Sequence, residues 1–178
     1  MPADPAAPNP FAPMRRASAG FMLRHPAHLI ALGFGSGLSP AAPGTAGTIW
    51  AWLGFLAANA LWRPSDLQWG LAIAVTTLAG WWASTVTAQH MGVQDPGQIV
   101  IDEIVAFWLV LWLAMPMGLG GQFVAFLLFR FFDAAKPGPV GWADSLFKGF
   151  GWKGGWGIVF DDLVAALCTL LAIALWRF

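Results

Sequence analysis

Apolar residues fall in five long runs separated by short polar segments. The runs cover residues 49–62, 67–88, 104–117, 122–132 and 158–176. A bilayer core about 30 Å thick needs roughly 20 helical residues. Only the second run, charge-free over 22 positions, meets that unaided. The others must borrow flanking residues or sit in a thinned, protein-packed region. The third and fourth, split by MPMGLGG, carry the weakest signal. A stretch over residues 26–32 predicts an N-terminal helix lying at the interface. The pattern predicts an all-α, polytopic integral membrane bundle of about five transmembrane helices, with no internal repeat.

Composition points the same way. The chain of 178 residues is 58% hydrophobic and 10% charged, with twelve Trp, fourteen Phe and no Tyr. Soluble domains carry roughly 25% charged residues. The formal net charge of zero gives no reason to expect nucleic acid as a partner. The single cysteine, Cys168, cannot form an internal disulfide. Residues 1–20 are rich in Pro and Ala and predict a disordered tail before a membrane-embedded domain over 21–178. They are not a signal peptide, because Arg24, His25 and Pro26 interrupt any apolar core that follows Arg15 and Arg16.

With five alternating spans, four polar segments emerge on one membrane face: GFGSGLSPAAPGT (33–45), DPGQIVIDE (95–103), FRFFDAAKP (129–137) and GGWGIVFDD (154–162). That face carries Arg15, Arg16, Arg24, Arg130, Lys136, Lys148 and Lys153. The other carries Arg63 and Arg177. The excess of basic residues puts the motif face in the cytoplasm and the C-terminus outside.

Six of the nine acids lie in these segments: Asp95, Asp102, Glu103, Asp133, Asp161 and Asp162. Arg130 and Lys136 lie there too, leaving four uncompensated negatives. Carboxylates crowded at a low-dielectric wall take up protons or recruit a cation. The donors are hard oxygens, and His25, His28 and His90 do not form a zinc-type set. The chemistry therefore suggests Mg²⁺ on some of Asp102, Glu103, Asp161 and Asp162, sharing its shell with a phosphate. Arg130 and Asp133, three apart, share a helix face, so the carboxylate can hold the guanidinium while it forks onto phosphate oxygens. Lys136 follows as a point charge. Gly35, Ser36, Gly37 and Thr45, in a glycine-rich loop running into a helix N-terminus, are candidates for cradling the anion through backbone amides.

Purely structural readings compete. Asp161 and Asp162 can be helix caps, Asp102 and Glu103 first-turn acids, and Arg130–Asp133 a structural ion pair. Gly70 and Gly80 read as close-packing positions. His25 and His28 read as interfacial, and Cys168 as a lipid-buried small hydrophobe.

The motifs "GFGSGLSP…PGT", "MGVQDPGQIVIDEIVAFW", "FRFFDAAKPGP" and "GGWGIVFDDLVA", in that order over residues 33–165, resemble the phosphatidylglycerophosphatase A family. The resemblance implies a Mg²⁺-dependent phosphatase of the bacterial inner membrane that converts phosphatidylglycerophosphate to phosphatidylglycerol. It implies that Asp95, Asp102, Glu103, Arg130, Asp133, Lys136, Asp161 and Asp162 are its functional residues. Two departures concern the loop before the last helix. Gly138 stands where a bulky residue is common, and GWADSLFKGFGWK is longer. Asp95 is the candidate for positioning or deprotonating the attacking water. An aspartyl-phosphate intermediate stays open. Competing classes are a CDP-alcohol phosphotransferase, whose Asp-x2-Asp-Gly-x2-Ala-Arg pattern is missing, a histidine-based lipid phosphatase, and a small cation transporter or membrane scaffold. A transporter would carry acids near the middle of its spans.

Overall fold

The computed structural model describes residues 16–177, and every element among them is helical. Two short helices, α1 (Ala19–Met22) and α2 (Pro26–Ala31), lead through a 3-10 turn (Gly33–Leu38) into α3 (Pro43–Leu61). Then come α4 (Asp66–Met91), α5 (Ile101–Ala114), α6 (Leu119–Ala135), α7 (Pro139–Leu146) and α8 (Gly151–Arg177). Each apolar run became one helix, and the helix expected over residues 26–32 is α2.

Local chemistry sets the ends. Ser65 and Gln68 form a reciprocal capping box at the start of α4, and Gly92, at φ 68°, closes it. Pro43 and Pro139 occupy first-turn positions of α3 and α7, where their missing N–H costs nothing. α5 stops at Met115, extended because Pro116 follows.

The expectation of five spanning helices is corrected. Only α4 and α8, of 26 and 27 residues, are long and apolar enough to cross a membrane by themselves. α5 has 14 residues, about 21 Å at 1.5 Å per residue, because Pro116 and three nearby glycines cut its apolar run. Of the predicted tail, residues 1–15 lie outside the described residues. Residues 16–20 are ordered, with Ala17 buried and its amide donating to Gln98 Oε1.

α5 is the centre. Val105, Ala106, Phe107, Val110 and Leu111 are all but inaccessible. α8 packs against α4, α5, α6 and α7, while α3 lies along α5. Small residues bring the helices together: a Cβ on Gly80 would sit 3.1 Å from Ile101 Cγ1, and one on Gly70 3.2 Å from Trp112. The packing reading of both glycines holds. The outer faces are apolar as well: Leu53 on α3, Leu71, Val75 and Leu78 on α4, Leu127 and Phe131 on α6, and Leu167 and Leu171 on α8 are exposed. Cys168 is half-buried against the core.

Candidate active site

Four helix ends and one helix interior meet at the motif end of the bundle. The segment before α5 is pinned by Val100, whose amide donates to the Ala31 carbonyl of α2 at 2.9 Å. Asp102 and Glu103 then occupy the first turn of α5. The structural reading of this pair holds, since first-turn acids favour the helix dipole, and the two also face other acids.

Asp161 and Asp162 are not caps. α8 begins at Gly151, so they lie ten and eleven residues along it, buried against α5 and α6. Glycines make this possible. A Cβ on Gly155 would meet Thr85 of α4, and one on Gly157 would press on Phe147. Bare backbone at these positions lets α8 start three turns before its acids, close against α4 and α7.

Consecutive helical residues diverge by about 100°, and the two aspartates part accordingly. Asp162 joins Asp102 and Glu103, with one oxygen from each of the three lying within 4.8 Å of the others. Asp161 turns to Lys136, whose Nζ donates to its Oδ2 at 2.7 Å. Lys136 ends α6 at φ 45° and also donates to Asp144 of α7. Lys148 completes that network at 2.7 Å from Asp144 Oδ2. Burial works against the Lys136 ammonium, but the hydrogen bonds it donates to Asp144 and Asp161, and their charges, outweigh it and raise its pKa above the ordinary range. Asp144 is likewise penalised by burial, yet the two lysines hold its pKa below the usual carboxylate range.

Arg130 is bound by Asp133 and stands 3.6 Å from Glu103 Oε1. Asp133 itself lies beside Asp162. Three buried carboxylate oxygens, Glu103 Oε2, Asp161 Oδ1 and Asp162 Oδ2, have no hydrogen-bond partner. A buried acceptor without a donor is costly. Two of the three belong to the cluster of Asp102, Glu103 and Asp162, so the donor set fits a hard divalent cation.

Several expected residues sit elsewhere. Asp95 is exposed at the mouth of a 180 Å³ cavity that Asp144, Lys148 and Asp161 also line, on the Asp161 side of α8. The amide cradle at Gly35 and Gly37 is corrected: both amides donate to the Leu32 carbonyl at 3.0 Å, and the Ser36 hydroxyl is spent on the Gly33 carbonyl. Those groups organise their own turn. Thr45, in the first turn of α3, follows Gly44, where a Cβ would lie 3.1 Å from both Arg130 Nη atoms and overlap Glu103. Gly44 stands in the glycine-rich segment already singled out, but its closeness to Arg130 and Glu103 has no signal in the sequence. Asp144, a partner of Lys136, is a residue that sequence reasoning missed. Asp144 stood in a segment read only as an insertion, although its four-residue spacing from Lys148 after Pro139 is a helical ion-pair pattern.

The histidines also gather, at the α2–α4 contact. His28 Nδ1 donates to the Phe21 carbonyl at 3.0 Å, leaving Nε2 to accept from His90 Nδ1 at 2.8 Å. Burial first, then the charges of His90 and His25, hold the His28 pKa below 6.5 against the pull of the Phe21 carbonyl.

Comparison with known proteins shows the family. The family model described as phosphatidylglycerophosphatase A matches residues 29–177. Phosphatidylglycerophosphatase A of Escherichia coli strain K12 is 40% identical over 153 residues, 83% of this chain and 81% of that protein. The protein of the same name in Haemophilus influenzae strain Rd is 40% identical over 157 residues, 85% of this chain and 88% of its own. A Bacteroides thetaiotaomicron protein provisionally named a phosphatidylinositol-3-phosphatase is 38% identical over 154 residues, 84% of this chain and 92% of its own. No solved structure matches the chain. With the family model spanning all four motifs and the acids they bring together, the chain belongs to the phosphatidylglycerophosphatase A family and is a phosphatase.

Proposed function

We propose that the chain hydrolyses the terminal phosphomonoester of phosphatidylglycerophosphate, yielding phosphatidylglycerol and phosphate, at the cytoplasmic face of a bacterial inner membrane. The observation that carries this reading is the buried cluster of Asp102, Glu103 and Asp162 with unpartnered oxygens, flanked by Arg130 and Lys136. In it Asp102, Glu103 and Asp162 would hold Mg²⁺, with Asp161 beside them. When bound, the ion neutralises phosphate oxygens and acts as a Lewis acid.

The remaining work falls to the chain. Asp133 orients the Arg130 guanidinium, which forks onto two phosphate oxygens. Lys136, anchored by Asp161 and Asp144, adds a fixed positive charge that stabilises the transferring phosphoryl group. Asp95, at the mouth of the polar cavity, positions and deprotonates water. The water oxygen bonds to phosphorus, the ester P–O bond breaks, the released glycerol oxygen takes up a proton from solvent, and Asp95 returns the water's proton to solvent. The exposed apolar flanks of α3, α4, α6 and α8 support a five-helix bundle in lipid, α4 and α8 crossing fully and the shorter helices packed beside them.

Purified chain should release phosphate from phosphatidylglycerophosphate, stop with EDTA and restart with Mg²⁺. Glu103→Ala and Asp162→Ala should each lower kcat by at least about 100-fold in folded protein, the scale of losing a group that stabilises the transition state. Full activity of either variant, or turnover indifferent to chelation, removes the site. Phosphatidic acid and phosphatidylinositol 3-phosphate belong in the same assay, the latter because of the name of the Bacteroides relative.

A further inference from the structure

Next to the polar cavity lies a second hollow, of 220 Å³, between α4 and the start of α8. Trp81, Phe147, Trp152, Lys153 and Trp156 line it. Trp81 is its back wall: its ring stands edge-on to Trp152 and to Trp156 at 5.3 Å each, and its Nε1 donates to the Trp152 carbonyl at 2.7 Å. Phe147 lines both this hollow and the polar cavity of Asp95, Asp144, Lys148 and Asp161. Its backbone rests on Gly157 and its ring meets Phe160 edge-on at 5.5 Å. One phenyl ring is therefore common to an aromatic cleft and a charged chamber.

Two further features give the cleft a direction. Trp81 follows the exposed aliphatic stripe of Leu71, Val75 and Leu78 on α4, the place along a membrane helix where tryptophan marks the level of the head groups. Lys153 is exposed and forms no ion pair with any described residue, whereas Lys136 and Lys148 are both engaged by carboxylates. It stands eight residues before Asp161 on the same helix, about 12 Å along the axis at 1.5 Å per residue.

We infer that this cleft is the lipid-side subsite of the enzyme. The tryptophans hold the glycerol backbone and first methylenes of a phospholipid carrying two phosphates. Lys153 takes the internal phosphodiester. Phe147 is the partition past which the terminal phosphate reaches the acids. The inference rests on the substrate being a membrane lipid phosphomonoester, as proposed above, and adds which face it enters from and which residue tells a two-phosphate lipid from a one-phosphate one. An amphiphile of this kind matches the sequence of surfaces it would cross: aliphatic helix faces, a tryptophan rim, one unpaired ammonium, then a chamber of paired charges.

Two measurements test it. In the first, a benzophenone amino acid replaces Trp152, keeping an aromatic side chain on the cleft wall with Lys153 intact, or Leu71 as the lipid-facing control. The protein is irradiated in phosphatidylcholine vesicles containing alkyne-tagged phosphatidylglycerophosphate or alkyne-tagged phosphatidylcholine. Position 152 should capture the phosphomonoester lipid several-fold more than phosphatidylcholine, and position 71 should capture both alike. Equal capture at 152 overturns the subsite. In the second, Lys153→Ala should raise KM for phosphatidylglycerophosphate about tenfold with kcat changed far less, the signature of lost uniform binding. KM for phosphatidic acid should move less. A purely structural role would instead lower kcat for both lipids. Selective capture without phosphate release from the wild-type chain would overturn the proposed activity and leave the subsite standing. Phosphate release with unselective capture and an unchanged KM would do the reverse.

Discussion

Asp161 and Asp162 differ by one step of a helix and by everything they touch. Asp162 faces two carboxylates, while Asp161 faces an ammonium. In the sequence they are an indivisible pair, and the nearest structural explanation was a cap. The helix start ten residues earlier is what removed that reading, and nothing short of the α8 boundary could have done so. Their separation makes a sharp prediction. Asp162→Asn should raise the Mg²⁺ concentration for half-maximal activity at least about tenfold, the scale of a weakened metal site. Asp161→Asn should lower kcat with little change in that concentration, because it frees Lys136 rather than removing a ligand. A Mg²⁺ titration of each variant's phosphate release separates them, and equal shifts in both would merge the two roles. Arg130 and Asp133 were legible from their spacing alone. The Gly35 and Gly37 amides were misread because a glycine-rich loop shows that backbone is bare, not whether its donors are already spent.

At the scale of the element, the start of α8 was the least readable part of the chain. GFGWKGGWG contains five glycines and reads as loop by propensity, since each glycine costs about 1 kcal/mol in a helix. It is helical from Gly151 because tertiary contact overrides propensity. Gly154, Gly155 and Gly157 are where α8 touches the Gly149 carbonyl, Thr85 and Phe147, and no side chain fits there. A substitution that favours the helix locally should therefore harm the protein. Gly155→Val would place Cβ about 2.9 Å from Thr85 Cα and Cβ, and overpacking of this kind costs about 1–3 kcal/mol. The expected result is a clear fall in Tm in detergent. Gly97→Ala, with nothing within 4 Å and an ordinary φ, should leave Tm unchanged. A Gly155→Val chain as stable as the wild type would show that α8 does not need this approach.

At the scale of the molecule, two contacts fix how deep the chemistry lies. Arg177, at the end of α8, donates to the carbonyls of Ala114 and Pro116, so the far ends of α5 and α8 are level. At the other end, Asp102 meets Asp162. Between them α5 and the second half of α8 run side by side for about 22 Å at 1.5 Å per residue. A bilayer core is about 30 Å thick. If Arg177 marks one boundary of such a core, the acids sit several ångströms inside the other, and the first turns of α8 rise past them. The expectation that the acids gather at one end of the bundle thus holds for α5 and α6, while α8 carries its pair well inside the helix. A recess of that depth would account for the cations placed on the acids, Arg130 beside Glu103 and Lys136 on Asp161. The proposed orientation requires an odd number of crossings between the motif face and the C-terminus. A protease-cleavable tag after residue 178 should therefore be removed in intact spheroplasts, while one placed in the α7–α8 turn at Gly149 should be cut only after lysis. Protection of both tags, or cleavage of both from outside, would place an even number of crossings between them and move the acids to a different depth.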